Sequence, residues 1–286
     1  MKIKIWGCRG SLATPGRQTL RYGGNTTCVE VRTQDGREII LDAGSGLYKL
    51  GKSLVAESAF APVLMLFTHA HWDHLCGFPF FDLAYLPQCE ITLCGGPAAQ
   101  KSLQTYLGRQ MEPPYFPVPF ERLQARIDYG CECSRPCEGK IAAMNCGRFC
   151  RSIRLNHPNG GYGFKLQEQG KTFVFLPDNE LGFHHENGPG FADFVEFCRD
   201  ADLLFHDAQY TDAEYERTRG WGHSSYADAV RMACEAGVKR LGLFHHDPTR
   251  TDDDLDRQVE CCREQLRNAG SGVDCFGCAE EMVIDL

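Results

Sequence analysis

Four side chains that can bind a metal ion lie within six consecutive positions, in the segment 68–74. The segment follows a short apolar run that predicts a buried strand. His69 and His71 are two residues apart in an extended stretch, so their imidazoles project to the same side and can share one ion. Asp73 and His74 lie past the bend and can hold a second ion beside the first. An isolated histidine is usually structural, but this density of ligand-type side chains predicts a metal site.

Further ligand-type residues stand where later predicted strands end. His157 follows a strand pattern, Asp178 follows the return strand of a predicted hairpin, and the pair His245-His246 closes the apolar run 238–244. Each residue alone would be interpreted as an ordinary loop residue. Because His157 and Asp178 occupy strand ends, as His69 does, metal ligation is the better interpretation for these two residues.

The string His69-x-His71-x-Asp73-His74 at a strand end resembles the signature of the metallo-β-lactamase-fold hydrolases. The resemblance implies an α+β fold, a four-layer αββα sandwich with a metal site at one edge of its two sheets. It extends along nearly the whole chain, which we therefore expect to form one domain over residues 1–286. His71 stands where oxygen-reducing di-iron relatives usually have a glutamate, so hydrolysis is favoured over redox chemistry.

Within that family the chain resembles the phosphodiesterase branch, which includes the tRNase Z endonucleases and the cyclic-phosphate phosphodiesterases. The branch implies two divalent transition-metal ions, with Zn²⁺ preferred and Mn²⁺ or Fe²⁺ as alternatives. Two such ions can share a hydroxide and clamp the oxygens of an in-line displacement. The implied ligands are His69, His71 and His157 for one ion, Asp73, His74 and His245 for the other, and Asp178 as the bridge. Which histidine of the pair His245-His246 binds the metal stays open, and His245 is preferred because it follows its strand directly.

The same resemblance implies a proton donor for the leaving alkoxide. His223 resembles the histidine of the branch's His-Ser-Thr loop, and Asp207 resembles the acidic residue that partners it. A carboxylate-oriented imidazole can act as a general acid near neutral pH. Asp73 is counted among the catalytic residues as well as among the ligands. This chain departs from the branch in having Ser225 for threonine and Asp207 for glutamate.

Composition limits the partners and the location. The chain has 286 residues, 43% apolar and 11% aromatic, which suffices for one large core. A net charge of −8 without a block of basic residues argues against an extended nucleic-acid surface, and a small phosphodiester such as a cyclic phosphate fits better. No run approaches the roughly 20 apolar residues of a membrane helix, and the amino terminus is typical of a strand rather than a signal peptide. A cytoplasmic protein is expected, and a homodimer is compatible with the sequence.

Sixteen cysteines are many for such a chain. Those of residues 131–150 form a Cys-rich insertion without a counterpart in the family pattern. Its thiols could coordinate an additional structural Zn²⁺, form disulfides or stay free, and we expect coordination or disulfides. The five cysteines are Cys131, Cys133, Cys137, Cys146 and Cys150.

Several other segments bear on the site. The proline-rich stretch 111–119 predicts an extended loop with exposed aromatic side chains, either a surface connection or a wall of the substrate pocket. Asp42, at the end of a strand, is expected to orient a ligand, and glycine-rich loops such as 7–11 are expected to border the metal cleft. Helices are predicted near residues 46–57, 97–109, 191–199 and 225–236, with a last helix capped by Thr251.

Three other functions are less favoured than a phosphodiesterase. Thioester or lactam hydrolysis is less favoured because it needs no separate acid such as His223 with Asp207. A tRNA 3′-end endonuclease is less favoured because no long, basic, glycine-rich insertion resembles the arm that grips tRNA in those enzymes. A metal-dependent ligand sensor without turnover is less favoured because the ligand set is complete and accompanied by a candidate acid.

Overall fold

A computed structural model of the chain describes residues 1–58, 60–95, 97–130 and 149–286. Within these ranges the strands are β1 Lys2–Gly7, β2 Cys28–Arg32, β3 Glu38–Leu41, β4 Val63–Phe67, β5 Glu90–Gly95, β6 Arg126–Tyr129, β7 Cys150–Arg154, β8 Tyr162–Glu168, β9 Lys171–Leu176, β10 Leu203–Asp207, β11 Arg240–Phe244, β12 Asp274–Gly277 and β13 Val283–Asp285. The helices are α1 Leu47–Glu57, α2 Trp72–Leu75, α3 Pro97–Gln110, α4 Phe191–Cys198, α5 Asp212–Thr218, α6 Tyr226–Glu235 and α7 Asp252–Asn268.

The described strands form two sheets, with the orders β13-β1-β2-β3-β4-β5-β6 and β12-β11-β10-β9-β8-β7. In the second sheet β9, β10, β11 and β12 run parallel. Because β8 is antiparallel to both β7 and β9, β7 points the same way as β9. The carboxyl ends of β7, β9, β10 and β11 therefore meet at one edge of the sheet, where ligand sites of α/β sheets usually lie.

The side chains of β4 show how the layers pack. Leu64 and Leu66 pack between the two sheets, against residues of the second sheet such as Phe173 and Phe205. Met65 points to the opposite face, with Val63 and Phe67, and packs against α1 and α3. This alternation follows from the two-residue period of a strand that is buried on both faces. The outer face of the second sheet is covered in turn by α4, α6 and α7. The predicted αββα sandwich is confirmed.

Local capping explains where several helices begin. Ser225 accepts a hydrogen bond from the backbone N–H of Asp228 at the start of α6, and Thr251 caps α7 in the same way, as predicted. Helix α5 was not predicted, although Thr211 and Glu214 form a complete capping box at its start. That spacing is readable in the sequence and could have revealed the helix.

The structure departs from the sequence predictions at two elements. Strand β6 was not predicted. The sequence predicts a short helix after His74, whereas α2 begins at Trp72, so Asp73 and His74 lie within its single turn. Residues 131–148 of the Cys-rich insertion lie outside the described residues. Of its five cysteines only Cys150 is described, and it is buried in β7 between the sheets. Among the described helices, none is both long and apolar enough to cross a bilayer.

Candidate metal centre

The first group of ligand-type residues joins β4 to the second sheet. His69 and His71 follow β4, and His157 follows β7 from the facing sheet. One ligand atom from each of these three histidines and from Asp178 lies within 4.8 Å of the others. The His157 Nε2 and His71 Nδ1 atoms are 3.0 Å apart, and the His69 Nε2 atom is 3.6 Å from the Asp178 Oδ2 atom. We call His69, His71 and His157 the three-histidine half of the centre.

The second group lies beside the first and contains more carboxylate. The His74 Nε2 atom is 3.3 Å from Asp73 Oδ2, and the His245 Nε2 atom is 3.2 Å from the same oxygen. Both nitrogens also approach Asp178 Oδ1, at 3.0 and 3.1 Å. We call Asp73, His74 and His245 the carboxylate-backed half. Asp178 therefore presents one oxygen to each half, which is the geometry that a bridging ligand needs.

Unsatisfied polar atoms at the junction of the halves test whether these residues fit a metal. The Nε2 atoms of His69 and His74 and the Oδ1 atom of Asp178 are buried and have no hydrogen-bond partner among the described residues. Leaving a buried polar atom unpaired costs about 1–3 kcal/mol, so such atoms are rare in folded proteins. Converging imidazole and carboxylate donors suit divalent transition metals. The residues fit such ions, and their individual roles as ligands stay a prediction.

Hydrogen bonds behind the histidines fix which ring nitrogen faces the centre. His74 Nδ1 donates to Asp42 Oδ2 at 2.8 Å, and Asp42 also accepts from the backbone N–H of Thr68 at 2.7 Å. His157 Nδ1 donates to the Gly222 carbonyl at 2.9 Å. With Nδ1 engaged, the Nε2 lone pair of each ring is left for the centre. The predicted role of Asp42 as an orienter is confirmed for His74.

Burial and charge shift the pKa values in opposite directions in the two halves. Burial lowers the pKa of His69 well below its usual value and lowers that of His157 to about 3. Burial also acts on His74, but the nearby carboxylates, with Asp178 the strongest, outweigh it and raise the pKa well above its usual value. For Asp178, burial is outweighed by the surrounding imidazoles, chiefly His245 and His74, and the pKa falls well below its usual value. Without metal, the three-histidine half is neutral and the carboxylate-backed half is a charged network.

The candidate proton donor stands directly against both halves. His223 Nδ1 donates to Asp207 Oδ2 at 2.6 Å, and Asp207 is the last residue of β10. The His223 ring stacks on His245 with centroids 4.9 Å apart and meets His157 edge-on at 5.3 Å. Burial opposes the protonated ring, but Asp207 outweighs burial and raises the pKa of His223 to about 9. Since Asp207, His223 and His245 also approach within 4.8 Å of one another, the structure brings all nine predicted site residues together.

The structure separates the histidines that the sequence left undecided. His246 points away from the centre and donates from Nε2 to the Cys278 carbonyl at 2.8 Å, so His245 is the member of the pair that faces the other ligand-type residues. The sequence favours a solvated loop or cleft-rim position for His185. Its imidazole lies in the loop that follows Asp178 and bonds to the buried Glu180 carboxylate at 2.9 Å.

Glu180 is a positioning residue that sequence reasoning missed. Its buried carboxylate accepts hydrogen bonds from the backbone N–H groups of Gly220 and Gly222, each at 2.7 Å, and from the Tyr215 hydroxyl at 2.7 Å. It thereby holds the loop whose Gly222 carbonyl receives the His157 ring and whose next residue is His223. The only sequence signal was a polar run, Asp178-Asn179-Glu180, which follows Pro177 at the end of β9.

Two glycines let the backbone approach the histidine rings. A Cβ atom on Gly10 would lie 2.5 Å from the Nδ1 atom of His245. Gly222 has φ +95°, and a Cβ atom there would overlap the ring of His157. Both positions need glycine because a side chain would displace a ligand-type ring. The expectation that the glycine-rich loop 7–11 borders the cleft is confirmed.

Comparison with known proteins gives the family. The family model of the beta-lactamase superfamily domain matches residues 37–246. The chain is 28% identical over 265 residues to a ribonuclease Z of Myxococcus xanthus, covering 80% of this chain and 83% of the relative. The solved structure of unliganded yeast PDE1 matches with a TM-score of 0.70 and 13% identity, covering 100% of this chain and 99% of that one. The Zn²⁺-bound PqqB of Methylobacterium extorquens matches with a TM-score of 0.65 and 13% identity over 100% of both chains. At these identities the structural matches establish the fold alone.

Proposed function

The chain belongs to the beta-lactamase superfamily and is a metal-dependent hydrolase; from that premise we propose that it hydrolyses a small linear or cyclic phosphodiester at a dinuclear centre. The observation that carries the proposal is the pair His223–Asp207, at 2.6 Å, stacked against the ligand-type His245. A phosphodiester releases an alkoxide that needs a proton, and this imidazole stands beside the centre to supply it.

The proposed ligand set follows the two halves. The three-histidine half holds one ion, the carboxylate-backed half holds the other, and Asp178 bridges them. Zn²⁺ is the proposed metal because imidazole and carboxylate suit it, and the structurally similar PqqB holds Zn²⁺. Bound at these positions, two divalent ions would supply an activated water and neutralise the charge of the phosphate oxygens.

The protein's own residues perform the remaining steps. Asp207 holds the Nδ1 proton of His223, so the opposite ring nitrogen can deliver its proton to the leaving oxygen. The Asp73 carboxylate is fixed by the backbone N–H of Ser11 at 2.8 Å. The imidazoles beside Asp73, with His74 the strongest, outweigh burial and lower its pKa, so its ionised oxygen can accept a hydrogen bond from the attacking water. Overall, water and the diester give the alcohol and the phosphomonoester, and one proton of the water replaces the proton that His223 donated.

Cleavage of tRNA is the second candidate, favoured by the likeness to ribonuclease Z over 80% of the chain. A small diester is preferred because the chain carries a net charge of −8, which disfavours an extended RNA surface. The single-domain organisation over residues 1–286 and a homodimer belong to the proposal as well.

The test is turnover by the metal-loaded protein. Bis-p-nitrophenyl phosphate, a thioester, nitrocefin and a precursor tRNA are assayed side by side, each with and without chelator. We expect chelator-sensitive hydrolysis of the phosphodiester well above that of the thioester and nitrocefin. Hydrolysis confined to the thioester or lactam would contradict the proposal, and tight diester binding without turnover would make the protein a sensor. Cleavage of the tRNA with no turnover of the small diester would favour the second candidate.

A further inference from the structure

A surface groove leads away from the three-histidine half. In the described part of the chain, two adjoining recesses of about 250 and 280 Å³ share Ala70 and Tyr106 in their walls. The first recess reaches the metal centre, because His69 and His71 line it. A substrate whose phosphate is held at the centre would therefore extend into the second recess.

The second recess is lined by aromatic side chains that are open to solvent. Trp72 is 68% exposed, Tyr115 is 78% exposed and Tyr106 is 39% exposed. Large aromatic rings are usually mostly buried, and a patch of exposed ones is a common mark of a binding surface. Trp72 lies in the chain between two ligand-type residues, His71 and Asp73, so its ring is anchored close to where the reacting phosphate is held.

The charge of the groove suits an anionic ligand with a flat ring. Arg109 lines the same recess, and no carboxylate among the described residues lies within ion-pair distance of it. A free guanidinium can pair with a phosphate or lie flat on a ring. An apolar protein segment would leave this cation unpaired, whereas a nucleotide would match both the cation and the rings.

We propose that Trp72, Tyr106 and Tyr115 form a stacking subsite for a nucleobase, so that the substrate is a nucleotide whose phosphodiester lies at the metal centre. This inference rests on the proposed function for the position of the phosphate. Stacking accepts any base, since every base has a π-face, and gives affinity without reading sequence. Segment 111–119 was predicted to be extended, but Tyr115 lies in a turn, where its backbone N–H donates to the Glu112 carbonyl at 2.9 Å. Because Tyr115 lines the second recess, this segment takes the role of a wall of the substrate pocket.

The first experiment measures binding and needs no turnover. Calorimetric titration of the metal-loaded protein compares adenosine 5′-monophosphate with ribose 5-phosphate, which carries the same phosphate but no base. We expect the nucleotide to bind at least about tenfold more tightly, the usual worth of one stacked base. Equal affinity for the two ligands would overturn the inference, whatever the activity assays show.

Variants then locate the base. Trp72→Ala and Tyr115→Ala should each reduce the preference for the nucleotide over the sugar phosphate by about fivefold or more. The ratio of the two affinities is used because a change in the metal centre weakens both ligands equally and cancels. Trp72→Ala could disturb the centre, but Tyr115 lies outside the ligand sequence, so Tyr115→Ala keeps the test valid. The matched control is Tyr48→Ala, since Tyr48 is 51% exposed but lines neither recess. A preference that survives both test variants would overturn the assignment of these residues.

Two sources could supply the base, a free nucleotide diester or an unpaired RNA end. An unpaired trinucleotide is therefore titrated beside the mononucleotide. Tighter trinucleotide binding, lost in Tyr115→Ala, identifies an RNA end, and equal binding identifies a small nucleotide; both support the subsite. If the protein hydrolyses no phosphodiester but still prefers the nucleotide, the proposed function fails while the stacking subsite stands.

Discussion

Both halves of the candidate metal centre contain imidazoles, but the residues behind those imidazoles differ. In the three-histidine half, His157 donates to a backbone carbonyl, and His71 is only partly buried beside an open recess. In the carboxylate-backed half, His74 donates to the Asp42 carboxylate and both His74 and His245 are fully buried. A carboxylate behind an imidazole makes the ring a stronger ligand. We therefore expect the carboxylate-backed half to hold its ion more tightly and the three-histidine half to face the substrate.

The largest expected effect comes from removing the residue that the halves share. Asp178→Ala should lose both ions and essentially all activity, because each half loses a carboxylate oxygen that lies about 3.0–3.7 Å from its histidines. Elemental analysis of the dialysed protein measures this, with Asp274→Ala, an exposed strand carboxylate, as the control. One ion surviving in Asp178→Ala would show that the halves are independent and that Asp178 is no bridge.

The second-largest effect is expected at His223, whose ring contacts a histidine of each half but belongs to neither. His223→Ala should keep both ions but lower turnover of a diester with a poor alkoxide leaving group by roughly 10²–10⁴-fold, the usual worth of a positioned proton donor. A diester that releases p-nitrophenolate should lose much less, since that oxygen hardly needs a proton. Asp207→Asn should give the same pattern more weakly.

The exposed His184→Ala serves as the control for this series. Equal losses on both diesters would mean that His223 does not act by protonating the leaving group. Loss of metal would place His223, with Asp207 and His245, in the ligand group that their proximity also allows.

Asp42→Asn tests the difference between the halves directly. The amide keeps the shape of the side chain but removes the charge behind His74, so one ion should bind about 10–100-fold more weakly while the other is unaffected. Competitive titration with a chromophoric chelator resolves the two affinities. If both weakened equally, the carboxylate behind His74 would not distinguish the halves.

The smallest expected effect is a pH dependence in the metal-stripped protein. The folded pKa of His157, about 3, is below its unfolded value near 6.5, so the folded state binds fewer protons between these pH values. The free energy of unfolding should therefore fall as pH drops from 6.5 toward 3, by about 2 kcal/mol at pH 5 from this ring alone. Urea unfolding of wild type and His157→Gln from pH 7 to pH 5 measures it.

His74 should act with the opposite sign. Its folded pKa is raised, so its stabilisation is fully present below pH 6.5 and is lost as pH rises through the folded value. An acid-side loss that is the same in His157→Gln as in wild type would contradict the neutral character of the three-histidine half.

Local sequence signals predicted the first ligand-type residues and most of the helices and strands, and the family resemblance implied the sandwich and the rest of the ligand set. The spacing of His69, His71, Asp73 and His74, and the strand ends at His157, Asp178 and His245, depend on short stretches of chain, and the structure brings all of them together. Helix α5 was not predicted, although the capping-box spacing of Thr211 and Glu214 at its start is visible in the sequence. The short edge strand β6 carries no strong pattern, and it forms because β5 offers it a partner.

Glu180 could not have been predicted in the same way. Its role exists only because segments about 5 to 42 residues away along the chain bring donors to one carboxylate. The choice between His245 and His246 depended likewise on which ring the folded loop turns toward the centre. Tertiary contacts of this kind leave no periodic trace in a sequence.

The glycines at the centre have a consequence for how this chain can evolve. Gly10 and Gly222 touch histidine rings through bare backbone, so replacing either with alanine would push a ring aside. In a mutational scan, substitutions of Gly10 and Gly222 should therefore reduce function as much as substitutions of the ligand-type residues, although the two glycines supply no donor atom. Divergence in substrate choice is therefore expected at positions such as Tyr106 and Tyr115, whose exposed side chains line the second recess and lie outside the ligand sequence 69–74.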